Sequence, residues 1–557
     1  MRLCFLSAAL VIALAVPAQA LPRHDMVEAA DPRAAAIGRD ILRQGGSAAD
    51  AAAAMAVALT IVEPQAAGLG GGGFFVYYDA KNHTLSAIDG RETAPKAARP
   101  DRFLDASGEP LPFVKAMVGG RAIGVPGMLA MLAEAHRHFG HLRWAALIAP
   151  SIGLAENGFA LSPRVHALLA RDRFLRQSAA AAALYYENGA AKPAGAVIVN
   201  PALAKALKLV AADGANVFYR GTIASDIAAA VAKADPPGDL TAADLASYEP
   251  IERPVLCHDY RHQRVCGMGL PSGEATVLEI LGLLQHFDLR AHVADAQAWH
   301  LFAAASKLAY ADRTRWLGDP RFVDAPVAGL LASAYLAGRA RQIDHAHETP
   351  GPAAPGDPAG RHAANWGDSM APEFPSTSTI AVIDRDGNAV AMTVTIEAEF
   401  GSHVMVDGFL LDNELTDFSF VPEVDGRPVA NRVQASKRPL SAMSPSMMFD
   451  PEGRLRLVVG SAGGPAIITD VAKTIVAIVD WHDGLKAAIA RPNVGNRNGP
   501  TEIEAGPDAP ALAAALERMG HVVRISRRAS GLGGILVTPE GYEGASDPRR
   551  EGAALGD

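Results

Sequence analysis

At Ser376 the character of the chain changes, and that switch constrains the fold more than any other feature. Between about residues 120 and 345, apolar residues recur with helical spacing in segments such as 127–139, 144–157, 201–212, 223–234, 274–287 and 299–310. From Ser376 onward, short β-branched runs take over at 378–383, 389–396, 408–411 and 455–459. A helix is predicted at 468–482, then a strand-helix-strand ending at 502–504, 509–519 and 522–525. Near the start, Ser47-Ala48-Ala49-Asp50 has the form of a capping box. It opens an alanine-rich helix to about Val62 that is apolar on every side and so buried all round. Helices, paired strands and helices again predict an α/β (α+β) fold, a four-layer αββα sandwich. At 557 residues, 49% hydrophobic, the chain suits one very large domain or two intimately packed ones.

Residues 1–20 read as a secretory signal: Arg2, an apolar stretch from Phe5 to Val16, and the small-residue site Ala18-Gln19-Ala20. The stretch is too short to span a bilayer well, so a soluble periplasmic or secreted protein, off the membrane after signal removal, is expected. A net charge of -9 without a basic stripe argues against nucleic acid. Cys4 leaves with the signal; Cys257 and Cys266 flank a predicted hairpin, where a bridge and two free thiols are both open. Gly68-Leu69-Gly70-Gly71-Gly72-Gly73 follows a helix and precedes a strand, the reverse of a phosphate loop. These glycines more simply let a buried strand approach a neighbouring backbone. His258 and His262 lack a third ligand, and Asp384-Arg385-Asp386-Gly387-Asn388 lacks the distant Glu of a calcium loop. No metal and no cofactor are expected. Residues 345–375 and the charged tail after Tyr542 read as locally flexible.

The chemistry centres on the switch itself. If Arg385-Asp386-Gly387 is a three-residue loop, Asp384 pairs with Asn388, and counting back along both strands puts Thr377 opposite Thr395. A two-residue turn would put Ile396 there instead. In the first register two hydroxyls lie within hydrogen-bonding reach on adjacent strands. A threonine hydroxyl needs a base. A cut before Thr377 would supply one, because the freed α-amine has an unperturbed pKa near 8. On composition alone, a serine/threonine-rich strand is the blander reading.

Several ordered motifs bear on that choice. They include Asp89-Gly90-Arg91-Glu92-Thr93-Ala94-Pro95, Gly124-Val125-Pro126-Gly127, Asp386-Gly387-Asn388, Leu410-Leu411-Asp412-Asn413, Asp417-Phe418-Ser419, Lys437-Arg438-Pro439-Leu440-Ser441 and Ser546-Asp547-Pro548-Arg549-Arg550. Through them the chain resembles the γ-glutamyltranspeptidases, or glutathione hydrolases, of the N-terminal nucleophile hydrolase type, over nearly its whole mature length. The resemblance implies self-cleavage between Ser376 and Thr377 into a large subunit, 21–376, and a small one, 377–557, forming a heterodimer. It implies Thr377 as nucleophile, Thr395 as its hydrogen-bonding partner, and Gly463 and Gly464 as oxyanion donors. It further implies that Arg91, helped by Ser441, holds the substrate's α-carboxylate, while Glu397, Glu414 and Asp417 receive its α-ammonium. Ala442 departs from the pattern, standing where a second serine is common. Taken singly, Arg91 would pass for a surface charge, Gly463-Gly464 for a turn, and the three acids for a solvated face.

The implied substrates are glutathione and other γ-glutamyl compounds, with water, amino acids or peptides as acceptors. Between Asp417 and Ser441, the segment 420–427 is shorter than the lid of some relatives and has no Tyr, which suggests an open groove. The rival readings are an acylase of the same fold acting on glutaryl-cephalosporin-like amides, and an inactive secreted binding homologue.

Overall fold

A computed structural model of the chain describes residues 21–360, 365–369, 371, 376–527 and 530–557. The expected signal, residues 1–20, lies outside them, as does part of the stretch 345–375.

Thirteen strands build two facing sheets. In chain order they are β1 (Met26–Ala29), β2 (Gly72–Asp79), β3 (Thr84–Gly90), β4 (Ile251–Arg253), β5 (Val255–Tyr260), β6 (Gln263–Met268), β7 (Ser378–Ile383), β8 (Ala389–Thr395), β9 (Ser446–Phe449), β10 (Leu455–Gly460), β11 (Gly533–Thr538), β12 (Gly541–Ser546) and β13 (Ala553–Gly556). One sheet runs β13-β1-β7-β8-β2-β3-β4, the other β12-β11-β10-β9-β6-β5. Side chains alternate across the first sheet, as the period of a strand requires. Ile380 and Val382 pack outward with the helices α1 (Pro32–Arg43), α2 (Ala48–Val62), α3 (Met128–Phe139) and α4 (Trp144–Asn157). Ala381 and Ile383 point the other way, into a core shared with Val458 and Ile535 of the second sheet. That core continues into α5 (Glu274–Leu284), α6 (Ala296–Trp316) and α7 (Ile467–Val479). The expected four layers are present.

α2 forms the hub. All 15 of its residues are buried, and Ser47 and Asp50 close the capping box at its start. The Asp384 carboxylate, in the β7–β8 turn, accepts the Ala48 N–H at 3.0 Å, so the same helix start fixes the hairpin. After α2 the glycines act as expected: an added Cβ at Gly71 would stand 2.0 Å from the Thr395 carbonyl oxygen. Only glycine lets these backbones touch.

Two expectations need correction. The tail after Tyr542 is not flexible: β12 and β13 form an edge of each sheet, and β13 pairs with β1 from Met26↔Gly556 to Ala29↔Ala553. β13, with Ala553, Ala554 and Gly556, carries little hydrophobic alternation, and β1 is only four residues long with Glu28 inside it, so neither was visible as a strand. The described start of 345–375 is also held in place. The Lys307 ammonium donates to Glu348 at 2.5 Å and to the Thr349 carbonyl at 2.6 Å, and Asn498 clasps Ala353 through both backbone groups. Cys257 and Cys266 face each other across β5 and β6, Cα atoms 4.1 Å apart, and are bridged.

Candidate active site

The hairpin register decides which side chains meet. The Asp384 N–H donates to the Asn388 carbonyl at 2.9 Å, so the loop has three residues. Pairing then runs from Ile383↔Ala389 to Ser378↔Val394, and one step further brings Thr377 beside Thr395. The Thr377 hydroxyl donates to the Thr395 hydroxyl at 3.0 Å. Thr395 Oγ1 also accepts the Glu397 N–H at 2.8 Å, which fixes its aim.

Thr377 has φ +91°, a conformation that β-branched residues rarely adopt and that needs support from its surroundings. Three contacts supply that support. The Gly463 N–H donates to the Ser376 carbonyl at 3.0 Å, the Ser376 hydroxyl to the Gln65 carbonyl at 2.9 Å, and Arg550 Nη1 to the Thr377 carbonyl at 2.8 Å. Gly463 (φ +128°) and Gly464 (φ +61°) are more than a turn: they lead directly into α7. N–H groups before a helix are natural partners for negative charge.

Arg91 follows β3 and is wholly buried, not a surface charge. Its N–H donates to Asp89 at 2.8 Å and its carbonyl accepts the Tyr248 hydroxyl at 2.8 Å, so the backbone is held at both ends. The guanidinium donates to Glu414, to Asp417 at 2.5 Å, and to the Pro439 and Leu440 carbonyls at 3.3 and 3.2 Å. Burial alone would weaken its hold on the proton, but Asp417 and Glu92 outweigh this and raise its pKa. The acids are not a solvated face either: Glu397, Glu414 and Asp417 are 5, 0 and 4% exposed. Glu414 and Asp417 sit in one 3₁₀ turn, oriented because Asp412 accepts both the Glu414 and Gly124 N–H groups.

Behind Arg91 lies a pair that sequence reasoning missed. Burial, then the Asp412 charge, pushes the Glu92 carboxyl well above the usual range. Burial does the same to Asp412. Each of the two carboxyls makes it harder for the other to ionise, so they titrate as a pair. Only their isolation from water marks them, and nothing in the sequence conveys that.

Among the described residues, Glu397, Glu414 and Asp417 bring three carboxylate oxygens close enough for a metal ion, as do Glu92, Asp412 and Glu414. In both sets the Arg91 guanidinium already stands as the cation. A third buried group, His300, Glu348 and His521, lies elsewhere and was not foreseen. His300 and His521 are hydrogen-bonded to each other at 2.8 Å and Lys307 pairs with Glu348, so its donor set is already engaged.

All the expected residues except Gly463 line one narrow cleft: Arg91, Thr377, Thr395, Glu397, Glu414, Asp417, Ser441, Ala442 and Gly464. Gly463 reaches it through the Ser376 carbonyl. Met443 and Ile467, not anticipated, complete the wall. The Ser441 N–H donates to the Pro271 carbonyl at 2.8 Å and its hydroxyl accepts the Met443 N–H at 3.1 Å. Residues 423–428 fold into a short hairpin, and Phe420 stacks on Phe103 with ring centres 4.6 Å apart. The arrangement sets a guanidinium and three carboxylates, groups that complement a carboxylate and an ammonium, next to a hydroxyl and backbone N–H donors.

Comparison with known proteins agrees. The family described as "Gamma-glutamyltranspeptidase" matches residues 34–557. The glutathione hydrolase proenzyme of Bacillus subtilis (strain 168) is 37% identical over 96% of this chain and 92% of its own. A cephalosporin acylase from Bacillus halodurans superposes with a TM-score of 0.84 at 25% identity, over 98% of this chain and 99% of its own. A γ-glutamyltranspeptidase from Helicobacter pylori gives a TM-score of 0.55 at 36% identity, over 57% of this chain and 91% of its own. Among the described residues, no helix is long and apolar enough to cross a membrane. By sequence along almost its entire length and by fold, the chain belongs to the gamma-glutamyltranspeptidase family of enzymes.

Proposed function

We propose that the chain is made as an exported precursor and cuts itself between Ser376 and Thr377. The small subunit then uses Thr377 to take γ-glutamyl groups from glutathione and related compounds. Arg91, with Ser441, holds the donor's α-carboxylate, and Glu397, Glu414 and Asp417 share its α-ammonium. The Thr377 α-amine accepts the hydroxyl proton as Oγ1 bonds to the γ-carbonyl carbon. The Gly463 and Gly464 N–H groups stabilise the oxyanion that develops. Breakage of the C–N bond leaves a γ-glutamyl ester on Thr377, and the proton passes from the α-amine to the departing amine. Water, an amino acid or a peptide then attacks the ester and restores the hydroxyl.

One observation carries this reading: the Thr377 and Thr395 hydroxyls meet at 3.0 Å in the cavity that also holds Arg91 and the three acids. The strained φ at Thr377, and the Gly463 donor already on the carbonyl of the bond to be cut, support the processing step. N-terminal sequencing of the smaller fragment tests it, and a start at Thr377 is expected. A Thr377→Ala variant is expected to stay in one piece on a denaturing gel and to lose at least a thousandfold in activity, roughly the scale of losing a nucleophile. A continuous wild-type chain that is fully active would end the proposal.

The acylase likeness and Ala442 favour one second reading, a preference for glutaryl amides. Glutaryl lacks the ammonium, so it would balance the negative charge of the three carboxylates less well than a γ-glutamyl group. Comparing kcat/KM for γ-glutamyl and glutaryl anilides separates the two, with the γ-glutamyl substrate expected to lead.

A further inference from the structure

Near the carboxyl end, Arg550 reaches the nucleophile. Its Nη1 donates to the Thr377 carbonyl at 2.8 Å and its Nε to the Ser530 carbonyl at 2.9 Å. Its guanidinium also lies against Gly531, where an added Cβ would come 2.7 Å from the guanidinium carbon and 2.8 Å from Ala462 Cβ. The Gly531 N–H in turn donates to the Ala462 carbonyl at 3.0 Å, one residue before Gly463. One cation thus ties the nucleophile's backbone to the loop that carries the oxyanion donors.

We propose that Arg550 is a positioning residue for Thr377: it fixes the Thr377 carbonyl against the oxyanion loop, and its charge keeps the α-amine of the cut enzyme unprotonated, ready to take the hydroxyl proton. This rests on Thr377 being the nucleophile. An ammonium beside a guanidinium is disfavoured, so the amine sheds its proton at lower pH than an isolated one. Two unit charges about 6 Å apart at an effective dielectric near 20 interact by roughly two pH units' worth of free energy. The other charges around Arg550 are Arg164, which adds to the effect, and Glu63, Asp547 and Glu399, which oppose it. On the cavity side Thr377 faces Arg91, Glu397, Glu414 and Asp417. With these offsets a net shift of about one pH unit is expected. Burial, then Arg164, pushes the Arg550 guanidinium down to about 10, so it remains charged at neutral pH.

The test uses the mature full-length enzyme and the pH profile of kcat/KM for a γ-glutamyl anilide, whose acid limb reports the base. Arg550→Gln is expected to slow self-cleavage and, in the cut fraction, to move the acid limb up by about one unit with KM little changed. Arg550→Lys, which keeps the charge, is expected to return the limb to within a few tenths of a unit of wild type. Glu63→Gln, which removes an opposing charge, is expected to move it down. General damage to the fold would lower the rate without these opposite shifts. An acid limb unmoved in both Arg550→Gln and Glu63→Gln overturns the proposal. So does an Arg550→Lys variant that is folded yet left uncut, or whose limb matches that of the Gln variant. Should Arg550→Gln not be cut at all, the Lys and Glu63→Gln profiles decide the question alone. If wild type itself yields no fragment starting at Thr377, the nucleophile assignment fails instead.

Discussion

At the hydroxyl end of the cavity, two threonines on neighbouring strands meet 3.0 Å apart beside backbone N–H groups; at the other end, one guanidinium is packed among carboxylates that are almost wholly buried. The first end is local. Thr377 and Thr395 are 18 residues apart and share one hairpin, so a three-residue turn sets their distance. The second end is long-range. Arg91 meets Glu414 and Asp417 across 323 and 326 residues, and only the packing of two sheets and a 3₁₀ turn brings them together. The difference teaches that, under the proposed function, bond making would rest on register and backbone dipoles, whereas recognition would rest on buried charge matched by a substrate of opposite pattern.

That contrast can be broken most sharply at Arg91. Arg91→Lys keeps the charge but loses the planar fork, and breaking such a buried pairing costs about 3–4 kcal/mol, roughly a hundred- to thousandfold in kcat/KM. Steady-state kinetics should show the loss mostly in KM, with cleavage at Thr377 retained. Thr395→Val probes the opposite end. Removing one hydrogen bond to the nucleophile should lower kcat by roughly ten- to a hundredfold at nearly constant KM. If Thr395→Val raised KM and Arg91→Lys lowered only kcat, the division into two ends would be wrong.

Ala442→Ser sharpens the recognition end. The added hydroxyl is useful only if a bound carboxylate accepts from it, since an unpartnered buried hydroxyl costs about 1–3 kcal/mol. A change of less than tenfold in KM for a γ-glutamyl anilide is expected, with a smaller change for the glutaryl analogue. The smallest effect concerns Glu92. Its pKa is raised in the folded protein, so its contribution to stability is complete below the unfolded value near 4.3 and is lost as pH rises toward the folded value. Glu92→Gln, neutral throughout, should therefore melt like wild type near pH 4 and about 1–2 °C higher at pH 8. A variant that melts lower at pH 8 would show that the carboxylate is ionised and needed there.

How much was legible follows the same divide. The capping box at Ser47, the buried all-round helix to Val62 and the Thr377–Thr395 register could be read because each depends on neighbours within a turn or a hairpin. The close approach at the glycine run was legible too, since a missing Cβ has few other uses in a strand. β1 and β13 were not: the edge strand β13 is built largely of small residues, and β1, only four residues long and buried on both faces, is too short to show a period. Arg91 and the three acids stood out only through a resemblance to known enzymes; their bare residue types are equally at home on a wet surface. Glu92, Asp412 and Arg550 stood inside the quoted motifs, but nothing in the sequence gave any of them a role.

By itself, the sequence determined the order of most helices and strands, the hairpin that aligns two hydroxyls, and the glycines that let backbones touch. These follow from covalent geometry and from side chains close along the chain. The tertiary structure alone decided which charges lose their water, which carboxyls are pushed away from ionisation, and that a residue seven places from the carboxyl end would reach the Thr377 carbonyl. The physical reason is that desolvation and Coulomb energy depend on distance in space and on exclusion of solvent, and neither quantity is written in the spacing of residues along a chain.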